Sequence, residues 1–204
     1  MNLVLLALTA LPFVISPGAS FTLTVNAAIA GDKRAGIRVW MGTALGIAVI
    51  AFAFGVSGLG ALLTSDPAIV ATVGMIGGAV LILIGVLAFV RAIRSWGQPA
   101  SPPPPAARLL VWSFIAVITN AKALSLYAVV IPALTRSGLN GLSLYLTFAI
   151  IHIGMLLIWL IAVSSAIRAV PSLGRSPHPR GILLVVSAGV LLILGVLMVV
   201  GAIA

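Results

Sequence analysis

Six stretches of the chain run apolar for more than twenty residues, at about 3–30, 37–63, 68–90, 109–134, 142–167 and 181–204. Polar residues gather in the breaks between them. A helix rising about 1.5 Å per residue needs about 20 apolar residues to cross the hydrocarbon core, so each stretch predicts one transmembrane helix. The breaks carry turn chemistry: "GDKRAG", "TSDP", "TRSGLNG" and "PSLGRSPHPR" are rich in Gly, Pro, Asp and Ser. The remaining break, "RSWGQPASPPPPAAR", is proline-rich and predicts an extended linker. The first stretch lacks the basic leader of a signal peptide and is read as a retained helix. The expected fold is therefore an all-α integral membrane protein of six transmembrane helices.

The basic residues orient these spans. Loop 1–2 holds Lys33, Arg34 and Arg38; loop 3–4 holds Arg91, Arg94 and Arg108; loop 5–6 holds Arg168, Arg175 and Arg180. Against these nine, the even-numbered loops hold only Arg136. Positive residues stay on the cytoplasmic side, which predicts cytoplasmic odd loops and both termini outside. Trp40, Trp96 and Trp112 lie within four residues of the basic loops, as interfacial anchors would.

The proline-rich linker splits the chain near its middle, and the halves resemble each other. "VISPGASFTL" at 14 aligns with "VITNAKALSL" at 117, and "AVLILIGVLAFVRAI" at 79 with "GVLLILGVLMVVGAI" at 189. Three spans per half is an odd number, so the second half inserts upside down relative to the first. The predicted organisation is a three-helix repeat over 1–98, a cytoplasmic linker over 99–107, and an inverted three-helix repeat over 108–204. That plan places a binding site at the repeat interface near the midplane. Gly42…Gly46 and Gly74…Gly78 have the spacing of close helix contacts, within one subunit or between two. Six short spans are few for a transporter, so a homodimer is one expectation.

Two irregularities fall at matching depths. "SPGAS" puts Pro17 and Gly18 at the centre of the first span, where proline removes a backbone donor and kinks or unwinds the helix. "TNAK" puts Asn120 and Lys122 at the centre of the fourth. The nearest charged neighbours of Lys122 along the chain, Arg108 and Arg136, are each fourteen residues away. As helix that is roughly 21 Å, beyond the reach of a lysine stem seeking water. Whatever solvates the ammonium must come from the protein or from what it binds.

"SPGASFTLTVNAAIAGDKRAGIRVWMGTALG" followed by "FIAVITNAKALSLYAVVIPAL" resembles the LysE/RhtB family of bacterial amino-acid exporters. The family pattern has Pro-Gly-Pro in the first helix, a basic glycine-bearing loop after it, and Asn-Pro-Lys in the fourth. Pro17, Gly18, Asn120 and Lys122 match it, while Ala19 and Ala121 stand where the pattern has prolines. The resemblance covers the whole chain. It implies a secondary transporter of the bacterial inner membrane that exports amino acids or similar zwitterions, driven by an ion gradient. Lys122 offers a cation for a substrate carboxylate, and amides freed around Gly18 offer donors. Ser16, Ser20, Asn26, Thr119 and Asn120 are candidate acceptors for the ammonium end. Asn26 equally suits a helix-interface hydrogen bond. His152, in the fifth span, is a candidate for proton coupling or for a bond to a neighbouring helix.

Composition narrows the alternatives. The chain is 62% hydrophobic and 6% charged, far below the roughly 25% charge of soluble domains. Its net charge of +9 lies in short loops without a basic helix face, so nucleic acid is not an expected partner. No cysteine is present, and the two carboxylates, Asp32 and Asp66, both fall in loops. Neither a metal site, a cofactor nor a nucleophile–base pair of an enzyme is expected from such an inventory. The competing reading is a non-transporting accessory protein for envelope lipid or protein assembly, with the proline-rich loop as its docking element. A pure scaffold, however, has no reason to hold a lysine in the bilayer centre.

Overall fold

The computed structural model describes residues 2–16, 18–58, 67–94, 96–97, 105, 108–132, 134, 138–139, 141–170 and 177–203. Among these every regular element is helical. It forms α1 (Leu3–Ile15), α2 (Ala19–Ile29), α3 (Ala35–Val56), α4 (Pro67–Arg94), α5 (Leu109–Ile118), α6 (Ala121–Ser125), α7 (Gly141–Ala169) and α8 (Pro177–Ile203). A π-helical stretch, Leu126–Val130, continues α6. Pro17 and most of the proline-rich linker lie outside the described residues.

Three segments, Ala35–Val56, Gly74–Arg94 and Gly141–Ala169, are long and apolar enough to cross a membrane individually. Five qualify when α1 with α2, and α5 with the helix after it, each count as one span. Both pairs bend by 52° at their break. The second break contains no proline. Thr119 Oγ1 donates to the Ile115 carbonyl at 2.7 Å, and the Asn120 side chain accepts from the Lys122 amide at 3.0 Å. A back-bonded threonine bends one helix and an asparagine cap starts the next, so the break needs no ring.

α3 and α7 pack along each other at the centre; α1 and α2 lie on α7, and α5 lies on α3. α4 and α8 form a separate, extensive pair, joined to the rest mainly through α6 and the π segment. Tyr127, Phe148, Leu6, Ile47 and Leu160 are fully enclosed between these helices. The outward faces are apolar as well: Val4, Ile150, Ile158 and Ile203 are each more than two-thirds exposed. With apolar groups on both sides, burial gives little preference for one helix contact over another. Close packing of small residues must supply it.

Glycine does so between α3 and α5 and between α4 and α8. A Cβ at Gly42 would overlap the Leu110 carbonyl oxygen and Ser113 Oγ of α5, and one at Gly46 would lie 3.0 Å from Val117. In the outer pair, a Cβ at Gly78 or Gly195 would come within 2.7 or 2.8 Å of the other's carbonyl oxygen. The contacts of Gly42, Gly46 and Gly78 are thus made within one chain. Trp40 also differs from a simple interfacial anchor. Its Nε1 donates to the Ile153 carbonyl at 3.0 Å, tying α3 to α7.

The basic loops converge on one end. Arg168 Nη1 donates to the Lys33 carbonyl at 2.7 Å, and Trp96 packs against Gly181. Asp32 is tied to Arg38 at 2.7 Å in the turn before α3.

Candidate functional site

The two breaks face each other, and Lys122 joins them. A helix ends with carbonyls that have no amide partner, and α1 ends at Ile15 inside the bundle. Pro12 O accepts from the Ser16 amide at 3.1 Å. Lys122 Nζ then donates to Phe13 O at 2.9 Å, to Ser16 O at 3.3 Å, and to Ser16 Oγ. The ammonium therefore sits on the negative end of α1, where a cation is favoured. It also lies 5.8 Å from the Phe13 ring centroid. Hydrogen bonds to a charged donor contribute about 1.5–3 kcal/mol each, enough for two to offset the insertion cost of a mid-membrane lysine, about 2.5–3.5 kcal/mol. The lysine is solvated by backbone that the first break sets free.

Just past that break, α2 begins at Ala19 with Gly18 at its cap and no side-chain cap bond. Its first amides have no acceptor within the helix, and Gly18, Ala19, Ser20 and Phe21 line a cavity of about 60 Å³. That volume holds a few waters. Lys122 and Asn120 line it from the second break, Thr43 and Ile47 from α3, and His152, Leu156 and Trp159 from α7. One wall is thus the unpaired start of a helix, another an ammonium, and much of the rest apolar.

The other polar groups are mostly tied to neighbours. Ser20 Oγ and Thr43 Oγ1 share a hydrogen bond of 2.8 Å between α2 and α3. His152 Nδ1 lies 3.4 Å from the Tyr127 hydroxyl, at the long limit of a hydrogen bond, and its ring stands edge-on to Phe148. Phe21 stacks on Trp159 with centroids 6.4 Å apart, closing the gap between α2 and α7.

Of the residues singled out from sequence, Ser16, Gly18, Ser20, Asn120, Lys122 and His152 all line this cavity. Pro17 lies outside the described residues. Thr119 is exposed, with its hydroxyl on its own helix, and does not line the cavity. Asn26 is buried further along α2, with no hydrogen-bond partner for Oδ1 among the described residues. Asn120 uses its side-chain oxygen to cap α6.

Besides the apolar wall, two residues with polar groups escaped the sequence reading, Thr43 and Trp159. Each had a signal. Thr43 is a polar residue beside Gly42 in an apolar run, and Trp159 is the one tryptophan away from the basic loops. Trp159 Nε1 is buried without a hydrogen-bond partner among the described residues. No group of three or more potential metal ligands occurs among those residues either.

No curated protein and no solved structure matches the chain significantly. The family model for "LysE type translocator" matches residues 11–202, which takes in both breaks, the basic loops and the cavity wall. The chain therefore belongs to the LysE type translocators: it is a multi-pass membrane transporter, not an enzyme.

Proposed function

We propose that this translocator exports amino acids or amino-acid-like zwitterions across the bacterial inner membrane, coupled to an ion gradient. The observation that carries this reading is Lys122 at the meeting of two broken helices, beside a cavity walled by the first turn of α2. A zwitterion brings a carboxylate that the ammonium and the free amides can bind, and an ammonium that the Ser16, Ser20 and Thr43 oxygens can accept. His152 is the wall residue suited to exchanging a proton as the solute passes. Cells supplied with dipeptides and expressing the chain should release a free amino acid faster than cells without it. Equal release for every residue type would sink the export reading.

We further propose six spans in two inverted repeats. The pairing pattern supports it: first span on fifth, fourth on second, second on fifth, third on sixth. Exchanging the two halves maps these four pairings onto one another, although the contacts of the first span with the second, and of the third with the fourth, have no counterpart of similar extent among the described residues. The shared 52° bends point the same way, and the clustered basic loops favour a cytoplasmic end there. A reporter fused to the C-terminus should therefore be active only if it works outside the cytoplasm. Activity of a cytoplasmic reporter there would remove the inverted-repeat arrangement and the midplane site together.

A further inference from the structure

We infer that the exported solute is a neutral amino acid with an apolar side chain, and that lysine and arginine are excluded. This rests on the export reading above and concerns the same cavity. The chain has two carboxylates in all. Asp32 is held by Arg38 and by the Arg34 amide in the turn before α3. Asp66 falls, by sequence, in the break between the second and third spans. Asp32 does not line the cavity, and no carboxylate does among the described residues; Asp66 lies outside them.

A basic amino acid brings two cations and one anion. Its α-ammonium can use the hydroxyls and carbonyls near Ser16 and Thr43. Its second cation would enter a low-dielectric space that already holds the Lys122 ammonium and offers no countercharge among the described residues. An acidic amino acid has the converse difficulty, with two carboxylates competing for one lysine. A neutral solute matches the inventory: one carboxylate for Lys122, one ammonium for neutral oxygens. The remaining wall suits an apolar side chain, being formed by Phe21 stacked on Trp159 and by Ile47, Leu126 and Leu156. Such a wall discriminates weakly against an added hydroxyl and strongly against an unpaired charge.

The test is efflux from proteoliposomes containing the full chain and loaded separately with labelled leucine, lysine, glutamate or glutamine. Leucine should leave at least tenfold faster than lysine or glutamate, and faster than glutamine. Leu156→Asp, which adds a carboxylate to the wall, should raise the lysine-to-leucine ratio. Lysine leaving as fast as leucine from the wild type would overturn the inference while leaving export intact. Failure of all four solutes to move would overturn the export reading, and the inference with it. A Leu156→Asp protein that moves leucine with an unchanged ratio would overturn this cavity as the seat of exclusion. If that variant does not fold, the wild-type comparison decides alone.

Discussion

Replacing Lys122 with Met is expected to abolish export while membrane abundance stays at or above the wild-type level. The substitution removes an insertion cost of about 2.5–3.5 kcal/mol. It also strips the ammonium from Phe13 O and Ser16 O; Phe13 O keeps the Ser16 hydroxyl as a donor at 3.3 Å, so Ser16 O bears most of the cost, about 1–3 kcal/mol. The two effects nearly cancel, so insertion should hold. Transport has no such compensation, because the only lysine or arginine in the wall among the described residues is gone. Losing one charge-assisted contact of about 1.5–3 kcal/mol predicts at least a roughly tenfold fall in efflux per inserted molecule. Lys122→Arg should be impaired as well. A planar fork cannot meet the close-set Phe13 and Ser16 acceptors as a compact ammonium does. Full activity in the Met variant would show that the lysine is tolerated, not used.

Gly42→Ala should destabilise the folded protein far more than Gly154→Ala. Both glycines sit inside long helices, where alanine improves helix propensity by about 1 kcal/mol. They differ in what a Cβ would meet. At Gly42 it overlaps the Leu110 carbonyl, which is backbone and cannot rotate away; at Gly154 nothing lies within 4 Å. Forced overpacking of this kind costs about 1–3 kcal/mol, more where a whole helix must shift. Melting temperature and monodisperse yield in one detergent would report the difference. Equal values for the two variants would mean that the contact between α3 and α5 is looser than described.

The spans were legible because hydropathy runs and turn residues are local signals. All six apolar runs coincide with helical segments, although the described residues support three spans individually and five with the bent pairs. The depth of the breaks was legible too, from Pro17 and Gly18 in one half and from Asn120 and Lys122 in the other. What solvates Lys122 was not. The sequence left open whether the protein or a bound solute supplies its partner, and the ammonium is held by the Phe13 and Ser16 carbonyls. Every residue has a carbonyl, so the ones left free by a break carry no mark in the chain. Thr43 and Trp159 enter the cavity wall through the packing of α3 and α7 against α2, which is set by contacts distant in sequence.

The pairing of α4 with α8 also bears on how the protein is made. Gly78 and Gly195, which meet at close range, are 117 residues apart, and α8 is the last helix described. At a synthesis rate of about 5–20 residues per second, roughly 6–23 s separate their emergence from the ribosome. Throughout that interval the glycine groove of α4 faces lipid or a chaperone, since its partner does not yet exist. The outer pair is therefore assembled only once α8 has been synthesised, and nascent chains truncated before Gly195 should be sensitive substrates for membrane quality control.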